Sequence, residues 1–514
     1  MSSETFLAGP EQAPSDLTED QASLARTVGL TGFMAVLIGV LVLILNAAEA
    51  RLPLTLGNNI GFAGIVVGLA MMVFHATRDT DQMIRRLYGY VGGLGLPAAG
   101  LVLSLLPVLI SVTRSVPEGE ERRIVSLFFP FGWACILAGL FFLIPFCRNE
   151  PDPAHRRKGL IGLGGIGAAA ALAGLVGGFF VSAFALSYGT VLALLGLAYL
   201  CAFVNQLGGA DLDGYRPALA LGVLGGVVFL AALLRSVVPA DRPFFIPTGL
   251  LLMFLGIVYA IVSLFMVSDS PTIVLTRREL SAYFYSPVAY LVLLMTGLWA
   301  WIDYVYFWLQ MEGNVTVPEP VVAHLLGNWM TIIPVLFIIP ALTMRLISEE
   351  KRTGTYEVLI SAPVSETPIV LSKLLACLTF YMLTWAVWGV ILIALRVDNG
   401  RAFDYRPLLS FYLAVAVTGA GFVAMGLFFS ALTRNQVIAA VLTFFGMLCL
   451  LFFFFVSQMA GPQWRPVFSH MTYVLLWWDA LEGRLHLRDV VIHLSLAVFW
   501  CFLAVKVLEA RRWS

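Results

Sequence analysis

Charge is what this sequence has least of. Of its 514 residues only 12% are Asp, Glu, Lys or Arg, against 60% hydrophobic. Soluble domains carry roughly 25% charged residues, and a water-soluble fold of this length could not hide so much apolar surface. The solvent for most of the chain is therefore lipid. Lysine is nearly absent: Lys158, Lys351, Lys373 and Lys506 are followed by Gly, Arg, Leu and Val. A Walker-type phosphate loop requires Ser or Thr after its lysine, so none of them can hold a nucleoside triphosphate in that way. The formal net charge is +0, which argues against nucleic acid as a partner. Cys135, Cys147, Cys201, Cys377, Cys449 and Cys501 lie in or at the ends of apolar segments. They form no C-x-x-C pair or zinc-like spacing and read as small packing residues. No basic stretch precedes the first apolar run, as a signal peptide would need. Residues 1–25, acidic and interrupted by Pro10 and Pro14, are predicted to be a disordered cytosolic tail.

Apolar segments long enough to cross a bilayer fall at 28–46, 56–75, 88–112, 125–147, 159–186, 188–207, 217–235 and 244–267, then at 287–310, 325–345, 369–395, 407–433, 436–458 and 490–509. The expected fold class is all-α, a polytopic membrane protein with about 14 transmembrane helices. With the N-terminus inside, most of the 31 Lys and Arg lie on the inner side, which places both termini in the cytosol. The span middles carry almost no charge, which disfavours a proton- or sodium-coupled carrier. Lys373, near a cytosolic span end, is expected to snorkel. Asp303 sits among Trp299, Trp301, Tyr304, Tyr306 and Trp308 and reads as part of an outer interfacial belt. Residues 26–268 form an eight-span region rich in small residues, with Gly92, Gly93 and Gly95, Gly162, Gly164, Gly165 and Gly167, and Gly174 four residues before Gly178. Such spacing serves close helix packing, and this half offers no functional motif.

Three stretches beyond residue 268 stand out. In the first, 340–363, an apolar segment turns into the charged run Glu349, Glu350, Lys351, Arg352 and passes through Gly354 and Thr355. Tyr356, Leu359 and Ile360 follow at i, i+3 and i+4 and share a helical face that suits docking into a groove on a cytosolic partner. Ser348 is a candidate N-cap, and Glu349 and Glu350 suit a first helical turn. They are expected to pair, exposed, with Arg352 or a partner cation. Pro363 closes the stretch, and Thr367-Pro368 opens the next helix. In the second, Leu280, Tyr283 and Phe284 lie opposite Arg278, Ser281 and Tyr285, the pattern of a helix lying in the membrane interface. The third, 481–491, follows Trp477 and Trp478 at an outer headgroup level.

The first stretch, from Glu349 to Pro363, resembles the first cytoplasmic loop of type 2 ABC transporter permeases. Arg277, Arg278, Glu279, Phe284 and Pro287 look like the elbow helix of the gliding-motility and nitrous-oxide-reductase-maturation members. Gly483, Arg488 and Asp489 resemble the external segment of the same permeases. The resemblance implies that 269–514 is a six-span permease domain with elbow, coupling and outer helices. It implies an exporter in the plasma (bacterial inner) membrane, with no cofactor in this chain and with ATP and Mg on a separate ABC ATPase subunit. It further implies a second permease copy or homologue and an extracytoplasmic auxiliary subunit. A rival class is a polytopic membrane enzyme acting on lipid-linked substrates. That would draw on Glu118, Glu120 and Glu121, or on Asp479, Glu482, His486 and Asp489. A non-transporting scaffold is a third reading, and a metal held by His486 and His493 a weaker one. The phenylalanines at 452–455 suit lipid-like cargo and bilayer contact equally.

Overall fold

The computed structural model describes residues 19–49, 54–79, 81–113, 118–180, 184–207, 212–238, 244–311, 320–356, 365–399 and 406–512. Among them regular structure is entirely helical, with no strand. Twelve helices are long and apolar enough to cross a membrane. Two further expected spans coincide with the shorter apolar helices Ala63–Arg78 and Thr190–Gln206. Large apolar side chains such as Leu291, Phe452 and Val498 remain exposed along these helices. In water they would be an aggregation liability; in hydrocarbon they are simply the lipid-facing surface. The protein is a polytopic all-α membrane protein.

The chain divides into two compact units, Met1–Val267 and Ser268–Ser514. In the first, glycines set how closely helices approach. A Cβ on Gly174 would lie 2.4 Å from the Gly189 carbonyl oxygen, and one on Gly39 would lie 2.6 Å from that of Gly61. No side chain larger than hydrogen fits such backbone-to-backbone contacts. Some of its few charges are paired. Arg86 donates to Glu150 at 2.7 Å, and these hydrogen bonds hold the Glu150 carboxyl below the usual carboxylate range. His75 lies between Asp79, at 2.8 Å, and the Tyr88 hydroxyl, at 2.9 Å.

The second unit opens with the Pro271–Tyr285 helix, which starts on a proline as the φ of that residue favours. Pro287–Met311 follows, then the short helices Val321–Leu326 and Trp329–Ile332, then Val335–Thr343 and Ser348–Thr353. Three long helices, Glu366–Asn399, Arg406–Leu432 and Gln436–Met459, are followed by Arg465–Met471, Tyr473–Leu481 and Leu487–Arg512. Their core is aromatic: Trp385 touches Trp388, Phe411 and Trp477 with ring centroids 5.1, 5.6 and 5.3 Å apart. Phe411 and Trp477 meet Trp385 edge to face, and aromatic pairs of this kind contribute about 0.5–1.5 kcal/mol each beyond their burial.

Asp303 belongs to this interior rather than to an exposed belt, a correction to the sequence-based expectation. It is fully buried and accepts hydrogen bonds from Asn328 Nδ2 (2.8 Å), Thr331 Oγ1 (3.0 Å) and Trp388 Nε1 (3.0 Å). Asn328 also caps the Trp329–Ile332 helix by accepting from the Thr331 N–H. A buried carboxylate thus pins the helix break at Gly327–Asn328. Aromatic neighbours in sequence pointed to a membrane interface; they do not reveal which way the aspartate faces.

Candidate functional site

The charged turn at 344–356 is held by interactions that reach into other helices. Its backbone leaves the Val335–Thr343 helix, whose Thr343 packs so tightly on Gly426 that a Cβ there would lie 2.3 Å from Thr343 Oγ1. Ser348 is the first helical residue of Ser348–Thr353, not its N-cap. The capping acceptor comes from another helix: Ser430 Oγ accepts from the Ile347 and Ser348 N–H groups, each at 3.0 Å. In return, Lys351 Nζ donates to the Ala431 carbonyl at the end of Arg406–Leu432. A cation there meets both an orphan carbonyl and the negative end of the helix dipole. Each helix end caps the other. Ser430→Ala leaves two amide groups without their acceptor and should lower stability by about 1–2 kcal/mol. Thermal unfolding of the detergent-solubilised chain would measure it, and Ser430→Thr, which keeps the oxygen, should lose much less.

The acidic pair divides its work. Glu349 binds Arg345 (Nε to Oε2, 3.0 Å), which also donates to Ser286 Oγ at 3.0 Å. The expected partner Arg352 is 3.9 Å away and largely exposed, an arrangement of little energetic weight. Glu350 is not the exposed pair the sequence suggests. Its carboxylate lies 2.6 Å from Lys373 Nζ, and Glu279 of the Pro271–Tyr285 helix lies 3.0 Å from the same nitrogen. Lys373 does not snorkel: its side chain is only 2% exposed. Two carboxylates from two different helices hold one buried ammonium, so desolvation is answered on both sides.

Tyr356 is a further correction. Its side chain is buried within the unit's own core, with Lys351 Nζ 5.3 Å from its ring centroid, so it anchors the turn and is not offered to a partner. Leu359, Ile360 and Pro363 lie outside the described residues. What the turn exposes is Arg352, Thr353, Gly354 and Thr355. Gly354 ends the helix at φ 77°, with open space around a hypothetical Cβ. The backbone conformation, not crowding, calls for glycine there.

The Pro271–Tyr285 helix packs on Glu366–Asn399 by stacking Tyr283 on Phe380 at 5.1 Å, while Phe284 meets the same ring at 5.8 Å. Tyr283 donates to the Leu342 carbonyl at 3.1 Å, and burial raises its pKa well above the ordinary phenol value. Arg277 donates to the Ser268 carbonyl at 3.0 Å, Arg278 is exposed, and Pro287 begins the next helix. At the other end of the unit, Gly483 adopts φ 77° just after Tyr473–Leu481. Asp489, in the first turn of Leu487–Arg512, pairs with His470 at 2.8 Å, while Arg488 remains exposed.

Of the carboxylates an enzyme would need, those of the 479–489 set are engaged with neighbouring cations, and the side chains of Glu118, Glu120 and Glu121 lie outside the described residues. Arg484 takes Asp479 and Glu482, and His470 takes Asp489. His486 is exposed and His493 buried, so they do not share an environment. Among the described residues no three His, Cys, Asp or Glu side chains assemble as a metal set. Sequence reasoning missed Ser430 entirely, and a serine in an apolar helix gives no signal. Lys373 did leave one: a lysine just inside a span, in a chain with four, is worth a search for carboxylates.

The fold and this cluster define a multi-pass membrane protein whose second unit is braced around a charged turn. The model of the ABC-2 family transporter protein matches residues 303–477, which include that turn and Lys373. No curated protein and no solved structure matches the chain.

Proposed function

We propose that residues 269–514 are the permease unit of an ABC exporter, driven by a separate ATPase chain that docks on the charged turn at 348–365. The observation that carries this reading is the bracing of the turn. Its exposed edge, Arg352 to Thr355, is backed by contacts to three other helices through Ser430, Lys373 and Glu279. A displacement imposed on that edge by a partner passes to Glu366–Asn399 through Lys373 and to Pro271–Tyr285 through Glu279. The ABC-2 match over 303–477 supports the same assignment, and so does the lack of any lysine followed by Ser or Thr, which leaves ATP and Mg to the partner. A second permease copy or homologue completes the pathway, and an extracytoplasmic auxiliary subunit meets the segment around Gly483, Arg488 and Asp489. The protein resides in the plasma (bacterial inner) membrane with both termini in the cytosol, as the inner bias of Lys and Arg supports.

The test is co-expression of the full chain with the ABC ATPases of its own genome, followed by affinity purification. Arg352→Glu should sharply weaken co-purification, because it reverses the one charge on the exposed edge of the turn. Glu349→Gln should leave the complex intact and lower ATP hydrolysis linked to transport, since it loosens Arg345 from the turn. Recovery of the chain without ATPase whether nucleotide is absent, present or trapped would sink the proposal.

A further inference from the structure

A groove of about 260 Å³ opens between the Pro271–Tyr285 helix and the segment leading into the charged turn. Its walls are largely apolar, formed by Ala282, Val288, Ala341 and Leu346 among others, and its rim carries Glu279, Glu349, Glu350, Arg345 and Lys373. This is smaller than the roughly 300–1,000 Å³ of a pocket that encloses a whole ligand. It suits a headgroup with the first part of an apolar chain. Of the rim groups, Lys373 is sunk at 2% exposure, whereas Arg345 and Glu349 are about a third exposed and Glu279 and Glu350 about a quarter. A visitor therefore meets the Arg345 guanidinium, paired with Glu349, and the partly exposed carboxylates of Glu279 and Glu350, which share the sunken Lys373 ammonium. The complementary headgroup carries one phosphate and one cation that can donate hydrogen bonds.

We infer that this groove binds a phospholipid with a primary ammonium headgroup, its phosphate toward Arg345 and its ammonium toward the carboxylates, with the acyl chain along the apolar wall. The charges alone would accept any zwitterion. Hydrogen bonding discriminates further, because carboxylates accept from a primary ammonium's three N–H donors. A quaternary choline has none, and a glycerol headgroup brings no cation at all. One charge-assisted hydrogen bond gained or lost corresponds to about tenfold in affinity.

The experiment places the full chain in nanodiscs of phosphatidylethanolamine, phosphatidylcholine and phosphatidylglycerol in equal parts. Native mass spectrometry then counts the lipids retained after gentle extraction. Phosphatidylethanolamine should be retained about tenfold over the other two. Ala282→Trp, which fills the groove mouth without altering a charge, should erase that preference, and so should Ala341→Phe from the opposite wall. Soluble phosphoethanolamine at millimolar concentration should fail to displace the lipid, because it leaves the apolar wall uncovered. Equal retention of the three lipids, a preference untouched in both folded variants, or displacement by the soluble headgroup would each overturn the inference. Retention is read on this chain without any ATPase, so its failure and that of the permease assignment stay distinguishable.

Discussion

Lys373→Met should lower the stability of the Ser268–Ser514 unit by about 3–5 kcal/mol, the range seen when one partner of a buried ion pair is removed. The reason lies in what remains. Glu279 and Glu350 both reach the same ammonium, at 3.0 and 2.6 Å, so its loss leaves two carboxylates, each only about a quarter exposed, without their shared cation. Like charges so placed repel, and among the described residues neither makes another ion pair. The paired control is the triple variant Lys373→Met, Glu279→Gln, Glu350→Gln. It leaves no charge in the cluster and should regain most of the loss, since a neutral replacement of a buried ionic cluster is often close to neutral in stability. Unfolding midpoints of the detergent-solubilised chain, read by tryptophan fluorescence, would decide. A single variant as stable as the parent, or a triple variant no better than the single, would contradict the geometry described for the cluster.

The second large effect is expected at Asp303. Asp303→Leu removes the acceptor shared by Asn328, Thr331 and Trp388 and leaves three buried donors to find others. Each unsatisfied buried donor costs about 1–3 kcal/mol. Relaxation will recover part of that, so a net loss of about 3 kcal/mol is expected. Asp303→Asn keeps one carbonyl acceptor and should fall between the two. Because Asn328 also caps Trp329–Ile332, protease sensitivity should rise first around residue 328. An unchanged unfolding midpoint for Asp303→Leu would show that the carboxylate holds nothing in place.

Hydropathy made the spans legible, because length and apolarity are all that a bilayer demands of a helix. At 56–75 the helix runs Leu54–Arg78, and at 188–207 it is Thr190–Gln206. The Pro271–Tyr285 helix was legible from its periodicity: Tyr283 meets Phe380, while Tyr285 on the opposite face is exposed. The charged turn was legible as a site but not in its wiring. Tyr356 carried the right spacing for an apolar face, yet local spacing cannot say whether that face looks toward a partner or into the chain's own core. Ser430 and the turn it caps are 82 residues apart, as invisible to pattern reading as Lys373 and Glu279, 94 apart. Pairings of that range are settled by packing, and periodicity carries no record of them.

The two supports of the turn also differ in when synthesis can supply them. Glu279 and Glu350 both precede Lys373 in the chain, so each carboxylate has left the ribosome before the lysine that needs it enters the membrane. The ammonium can partition into lipid already neutralised. Ser430 comes 82 residues after Ser348, which at 5–20 residues per second is a delay of about 4–16 s. During that interval the amides of Ile347 and Ser348 have only water or headgroups to bond. The turn is therefore assembled in a fixed order, its ionic clasp closing early and its hydroxyl cap arriving last.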